Sequence, residues 1–146
     1  LQGLSFEQGD IHALDADALG QFDVVLMMGL LYHLENPVGA LRACRALCRK
    51  LCLIETQIVP GMTGWVDYGG YQYVRPLKGS FGIIDETADT HGPEASITGI
   101  CLVPSLEALT WILGKVGFSQ VSVLEPPADA YEQLLHHKRV MVAAQV

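Results

Sequence analysis

Residues 22–28 read FDVVLMM. The apolar run goes on through Gly29 and ends at Tyr32, where it meets His33, Glu35, Asn36 and Pro37. It is far shorter than the roughly 20 apolar residues that span a bilayer. A short continuous apolar run of this kind marks a strand covered on both faces in a parallel sheet. A parallel neighbour needs a crossover, and the next residues supply one. Asn36 is a good N-cap and Pro37 suits the first helical position, where its missing N–H costs nothing. The pattern predicts a helix from Pro37 to Lys50 and a second buried strand over LCLIETQIV, residues 51–59. Strand, helix and strand joined by short loops form a right-handed βαβ unit, which restricts the chain to the α/β class.

The flanking segments extend the pattern. LSFEQGDI, residues 4–11, reads as a strand running into the turn Gly9-Asp10. Ser105 caps a predicted helix over residues 106–116, with Leu106, Leu109, Ile112, Leu113 and Val116 at helical spacing and Gly117 as its stop. QVSVLE (120–125) alternates as a strand, and RVMVAAQV (139–146) closes the chain as another. Residues 60–100 break the rhythm. They are rich in Gly and aromatics and then acidic and turn-rich, as expected of a lid-like insert.

Charge and cysteine content narrow the function. Half of the 146 residues are hydrophobic and 17% are charged, enough for one domain with a real core. The net charge of −7 disfavours a nucleic-acid partner. Two basic clusters exist, Arg42/Arg45/Arg49/Lys50 and His136/His137/Lys138/Arg139, and both read as solvated edges. Cys44, Cys48 and Cys52 recur every four residues, but no second ligand pair follows. Leu41, Cys44, Cys48 and Leu51 instead fall on one helix face, as small apolar residues. Free thiols suit a reducing cytoplasm. No metal site and no membrane span is expected.

The order and spacing of GDI (9–11), FDVVLMMGLLYHLENP, a helix, LIET, PS-LEAL-WIL-KVGF-QV and a final RVMVAAQ resemble the C-terminal two-thirds of a class I S-adenosylmethionine (SAM)-dependent methyltransferase. The resemblance covers nearly all of the chain except residues 60–100. It implies a Rossmann-like sheet with residues 4–8 as strand 3, 23–28 as strand 4, 51–58 as strand 5, 119–124 as strand 6 and 139–145 as an antiparallel strand 7. It further implies SAM as donor and S-adenosylhomocysteine as product. Asp10 and Ile11 would lie at the adenine, and Met28, Gly29 and Tyr32 beside the methionine and sulfonium part. LYH followed by Pro, Glu55-Thr56, and P-S-x3-L-x3-L-x3-G-F also resemble tRNA wobble-uridine carboxymethyltransferases.

In open α/β sheets, ligands bind beyond the carboxyl ends of the strands. His33 leaves such an end, and two roles stay open for it: a hydrogen bond inside the loop, or a base for a hydroxyl or amine acceptor. Methyl transfer needs mainly alignment, so a base is not obligatory. Trp65, Tyr68, Tyr71, Tyr73 and Arg75 form either an aromatic wall with a cationic anchor over a small-molecule acceptor, or a hairpin packed on the sheet. The family's glycine-rich turn and its strands 1 and 2 have no counterpart in the sequence. The expectation is therefore an incomplete domain over residues 1–146, part of a longer enzyme and inactive alone. Its exposed sheet edge would invite pairing with another copy. A fold that has lost donor binding altogether is the non-catalytic alternative.

Overall fold

The computed structural model describes residues 3–67, 74–86, 92, 95, 96 and 98–146. Its centre is a four-stranded sheet in the order β1-β2-β8-β7. β1 (Phe22–Met28) runs parallel to β2 (Cys48–Gln57), with Leu26 opposite Leu53 and Met28 opposite Glu55. β8 (Arg139–Gln145) lies antiparallel between β2 and β7 (Gln120–Leu124). The helix joining β1 to β2 makes the crossover that the sequence calls for. This is the predicted α/β class, with residues 23–28, 51–58, 119–124 and 139–145 in the predicted relative order.

Each long helix begins where its capping chemistry dictates. α1 (Ala16–Leu19) is a single turn capped by Asp15. α2 (Pro37–Leu47) starts with the Asn36 Oδ1 accepting from the Gly39 N–H at 2.9 Å. α3 (Leu106–Val116) starts with Ser105 accepting from the Ala108 N–H and ends at Gly117, whose φ of 109° is left-handed. Leu41 and Cys44 of α2 meet Leu109 and Leu113 of α3 over Met27, Cys52, Ile54, Val142 and Ala144 of the sheet, and this contact is the core. Each fully buried aliphatic side chain here contributes about 1.5–3 kcal/mol.

Several expectations change. The helix after Asn36 ends at Leu47 rather than Lys50, because Cys48 is already extended (φ −93°, ψ 127°) and opens β2. Cys48 is therefore buried in a strand and not on the helix face. Residues 4–8 form no strand, and Phe6 is 90% exposed. A strand needs a ladder partner for its N–H and C=O groups, and among the described residues β1 pairs only with β2. Finally, the insert is more regular than its composition suggests. β3 (Thr63–Asp67) pairs with β4 (Val74–Lys78), and β5 (Phe81–Asp85) with β6 (Ile100–Pro104), both antiparallel.

Among the described residues the sheet is covered on one face only, because α2 and α3 pack on the same side of it, which corrects the reading of FDVVLMM as a strand covered on both faces. Val24 and Leu26 of β1 are 51% and 62% exposed on the other, together with Phe22 and Met28. A short turn, α4 (Glu132–Leu135), precedes β8. Among the described residues no helix is long and apolar enough to cross a membrane.

Candidate functional site

The site is built at the carboxyl end of β1. Gly29 leaves the strand with φ +66°, a conformation open to glycine and strained for other residues. Its N–H donates both to the Glu55 carbonyl (3.2 Å) and to the Glu55 side-chain Oε2 (3.0 Å). The chain then makes one 3-10 turn, Leu31–His33, with the His33 N–H donating to the Leu30 carbonyl at 3.1 Å. Leu31 is fully buried and pins the turn to the core. The turn presents Tyr32 and His33 as neighbours, with ring centroids 4.1 Å apart.

The two rings enter different networks. His33 Nδ1 lies 2.7 and 2.8 Å from the two carboxylate oxygens of Glu86. Glu86 is only 2% exposed. It follows directly on β5, and its N–H donates to the Gly99 carbonyl at 2.8 Å, so the end of the β5–β6 ladder delivers it. Its Oε2 also accepts from the Ser96 N–H (2.9 Å) and the Cys101 thiol (3.2 Å). Burial raises the Glu86 pKa, but His33, the Ser96 N–H and the Cys101 thiol together outweigh it and hold the carboxyl below its ordinary range. Burial and the adjacent carboxylate push Cys101 up to about 11, so it stays a thiol and a donor. β6 is tied to the same turn by the Leu102 N–H, which donates to the Leu34 carbonyl at 3.0 Å.

Tyr32 turns the other way, toward β8. Its hydroxyl accepts from Arg139 Nη2 at 2.7 Å, and the guanidinium carbon stands 4.6 Å from its ring centroid. Arg139 Nη1 donates to both oxygens of Glu55 (2.9 and 3.2 Å), and Nε to Gln133 Oε1 (2.7 Å). Burial works against the charge on Arg139, but Glu55 and Tyr32 more than compensate, so its pKa lies above the ordinary arginine value.

Two adjoining grooves flank the turn. One, of about 570 Å³, is lined by His33, His12, Glu35, Asn36, Ser96 and Thr98, with Asp10, Leu30 and Leu34 along its border. The other, of about 730 Å³, is lined by Glu7, Gln8, Ile11 and Leu14 and shares Asp10, Leu30 and Leu34. The structure thus brings Asp10, Ile11 and His33 to one place. Gly29 lies next to it, while the Tyr32 side chain is committed to Arg139 and Met28 ends β1, 43% exposed. Trp65 is not in this place: it lines a separate groove with Trp111, Glu107 and Lys78. Arg75 lies across from Val66 on the same hairpin. Tyr68, Tyr71 and Tyr73 lie outside the described residues. Glu86, Glu55 and Arg139 are the site residues that sequence reasoning missed. The only signal for Glu86 was an apolar stretch, GII, closed by paired acids inside an acidic turn-rich segment. Among the described residues, no three His, Cys, Asp or Glu side chains converge to hold a metal ion.

This sheet, with its crossover helix and antiparallel closing strand, has the arrangement of part of the class I methyltransferase fold. Among solved structures, the N-terminal domain of EvdMO1 with S-adenosylhomocysteine bound superposes with a TM-score of 0.63 at 22% identity, over 96% of this chain and 52% of that one. A SAM-dependent methyltransferase from Mesorhizobium loti gives 0.61 at 17% identity, over 99% and 71%. In sequence, the family described as a methyltransferase domain matches residues 1–53. The tRNA U34 carboxymethyltransferase of Alteromonas mediterranea is 27% identical over 113 residues, 76% of this chain and 28% of that protein. Its counterpart in Idiomarina loihiensis is 28% identical over 109 residues, 73% and 27%. The chain therefore spans little more than a quarter of these curated relatives.

Proposed function

We propose that this chain forms part of a SAM-dependent methyltransferase acting on a small acceptor that carries a hydroxyl or amine. The observation that carries this reading is the His33–Glu86 pair at the rim of a groove that shares Asp10, Leu30 and Leu34 with its neighbour. The residues fit the donor in kind. Asp10, whose Oδ1 already closes a turn onto the His12 N–H, would accept from the adenine amino group, Ile11 and Leu14 would pack on the ring, and Gly29 would let backbone approach the sulfonium. Bound there, the cofactor supplies an electrophilic methyl group. Glu86 accepts from Nδ1–H and so fixes the tautomer in which His33 Nε2 is the proton acceptor. His33 then takes the acceptor's proton as its nucleophile is alkylated, a role worth about 10²–10⁴-fold in rate.

The groove favours a neutral or cationic acceptor, since among the described residues Asp10 and Glu35 line it and no Lys or Arg does. The similarity to tRNA U34 carboxymethyltransferases favours a second reading, a wobble-uridine transferase. That reading calls for a coherent basic face. Of Arg42, Arg45, Arg49, Lys138 and Arg139, which would make that face, Arg139 is turned inward onto Glu55, Arg45 holds the Gly117 carbonyl at 2.8 Å and Arg49 is paired with Asp23, while Arg42 and Lys138 are exposed. Calorimetric titration of the full-length protein that contains this chain with S-adenosylhomocysteine, beside a filter-binding titration of the same protein with unfractionated tRNA over a range of salt, tests both. Nucleoside binding without tRNA capture at physiological salt is the expected result. Tight tRNA capture that falls steeply with salt moves the assignment to the second reading. Absence of nucleoside binding sinks both and leaves a non-catalytic methyltransferase fold.

A further inference from the structure

Nothing in the proton-transfer scheme above uses Arg139, although its guanidinium is the most heavily engaged cation in the site. It sits at the start of β8, where its neighbour Val140 pairs with Thr56 of β2. Its side chain is 17% exposed. All three of its nitrogens are committed: Nε to Gln133, Nη1 to Glu55 and Nη2 to Tyr32. Two of these partners, Glu55 and Tyr32, hold the Gly29–His33 turn near its two ends. Glu55 grips the first residue of the turn through the Gly29 N–H. Tyr32 is the residue whose ring lies against His33. The guanidinium is planar and also covers the face of the Tyr32 ring, so it fixes the phenol in two directions.

We propose that Arg139 is a positioning residue: through Glu55 and Tyr32 it locks the Gly29–His33 turn, and with it both the donor-facing glycine and the His33 imidazole. The proposal rests on the functional reading above for its consequence, though not for its geometry. A lysine in its place supplies one point charge and no fork, so it reaches Glu55 or Tyr32 and not both. Removing the Tyr32 hydroxyl cuts the same link from the other side.

The test uses Arg139→Lys, Tyr32→Phe and the double variant, each made in the full-length protein that contains this chain. Two readouts are taken on each: the NMR signals of the His33 ring, and calorimetric affinity for S-adenosylhomocysteine. His33 is one of five histidines and is assigned by His33→Gln. Both single variants are expected to move the His33 ring signals and to weaken nucleoside binding by about tenfold, the usual size for a lost hydrogen bond to a charged group. The double variant is expected to lose no more than the worse single one, since both break one link. A lower melting temperature with unmoved His33 signals and unchanged affinity overturns the proposal and leaves Arg139 a purely structural residue. If the unaltered protein fails to bind the nucleoside, the functional reading falls. The His33 signals then still decide the lock: shifted by both substitutions it stands, unshifted it falls.

Discussion

Replacing Glu86 by glutamine changes one oxygen into an NH₂ group where, among the described residues, the carboxylate meets three donors. The carboxylate accepts from His33, from the Ser96 N–H and from the Cys101 thiol. Glutamine keeps one acceptor oxygen. If its NH₂ turns toward Ser96 and Cys101, it faces a backbone N–H that cannot accept and a thiol sulfur that accepts only weakly. If it turns toward His33, the conflict is relieved by moving the ring proton from Nδ1 to Nε2. The second arrangement is the expected one. It replaces a charge-assisted bond with a neutral one in a buried place, which costs about 1–3 kcal/mol. For a small domain this lowers the urea midpoint by about 1 M. The swap also turns the proton-accepting nitrogen into a donor, so any methyl transfer that uses His33 falls by about 10²–10⁴-fold. Urea denaturation followed by tryptophan fluorescence measures the first effect, and nitrogen NMR of the His33 ring identifies the tautomer. A Glu86→Gln variant with an unchanged midpoint and the proton still on Nδ1 would refute the reasoning.

Glu86 also predicts a pH dependence. Its native pKa lies below the ordinary 4.5, so the unfolded chain binds more protons near that value. Its stabilisation is complete above about pH 4.5 and is lost as the pH falls through the lower native value; Glu86→Gln should lack this component in acid denaturation. Asn36→Ala removes the cap of α2 and should cost about 1 kcal/mol in the same urea assay, with no effect on His33 signals. Leu26, 62% exposed at the middle of the free edge strand, should promote concentration-dependent self-association visible in sedimentation velocity. Leu26→Lys should abolish it, and a variant that still associates would place the contact elsewhere.

Local chemistry explains which parts of this fold were readable in advance. The Asn36-Pro37 start of α2, the Ser105 start of α3 and the Gly117 stop are written in single residues, and each cap forms as the sequence predicts. β1 and β2 were legible because a continuous apolar run has few other fates. Residues 4–8 failed because strand propensity is conditional on a partner, and β1 offers none there. The β3–β4 ladder is the hairpin that was one of the two readings of Trp65–Arg75, with Trp65 73% exposed rather than packed; the β5–β6 ladder was hidden because FGIID and ICLVP carry no clean polar–apolar alternation. In the site, His33 stood out as a lone imidazole at a strand end. Its partner Glu86 lies 53 residues on, and only the antiparallel pairing of β5 with β6 brings it back. Arg139 was read as part of a solvated basic edge, since HHKR shows charge but not the Glu55 carboxylate it turns toward.

Photo-crosslinking of radiolabelled SAM to the protein, followed by peptide mapping, tests the central claim most directly, because it reports where a donor sits as well as whether it binds. Saturable labelling, competed by S-adenosylhomocysteine and confined to peptides containing Asp10–Ile11 and Met28–His33, is the expected result. Labelling that concentrates at the Trp65–Trp111 groove, or that excess S-adenosylhomocysteine fails to compete, would contradict it.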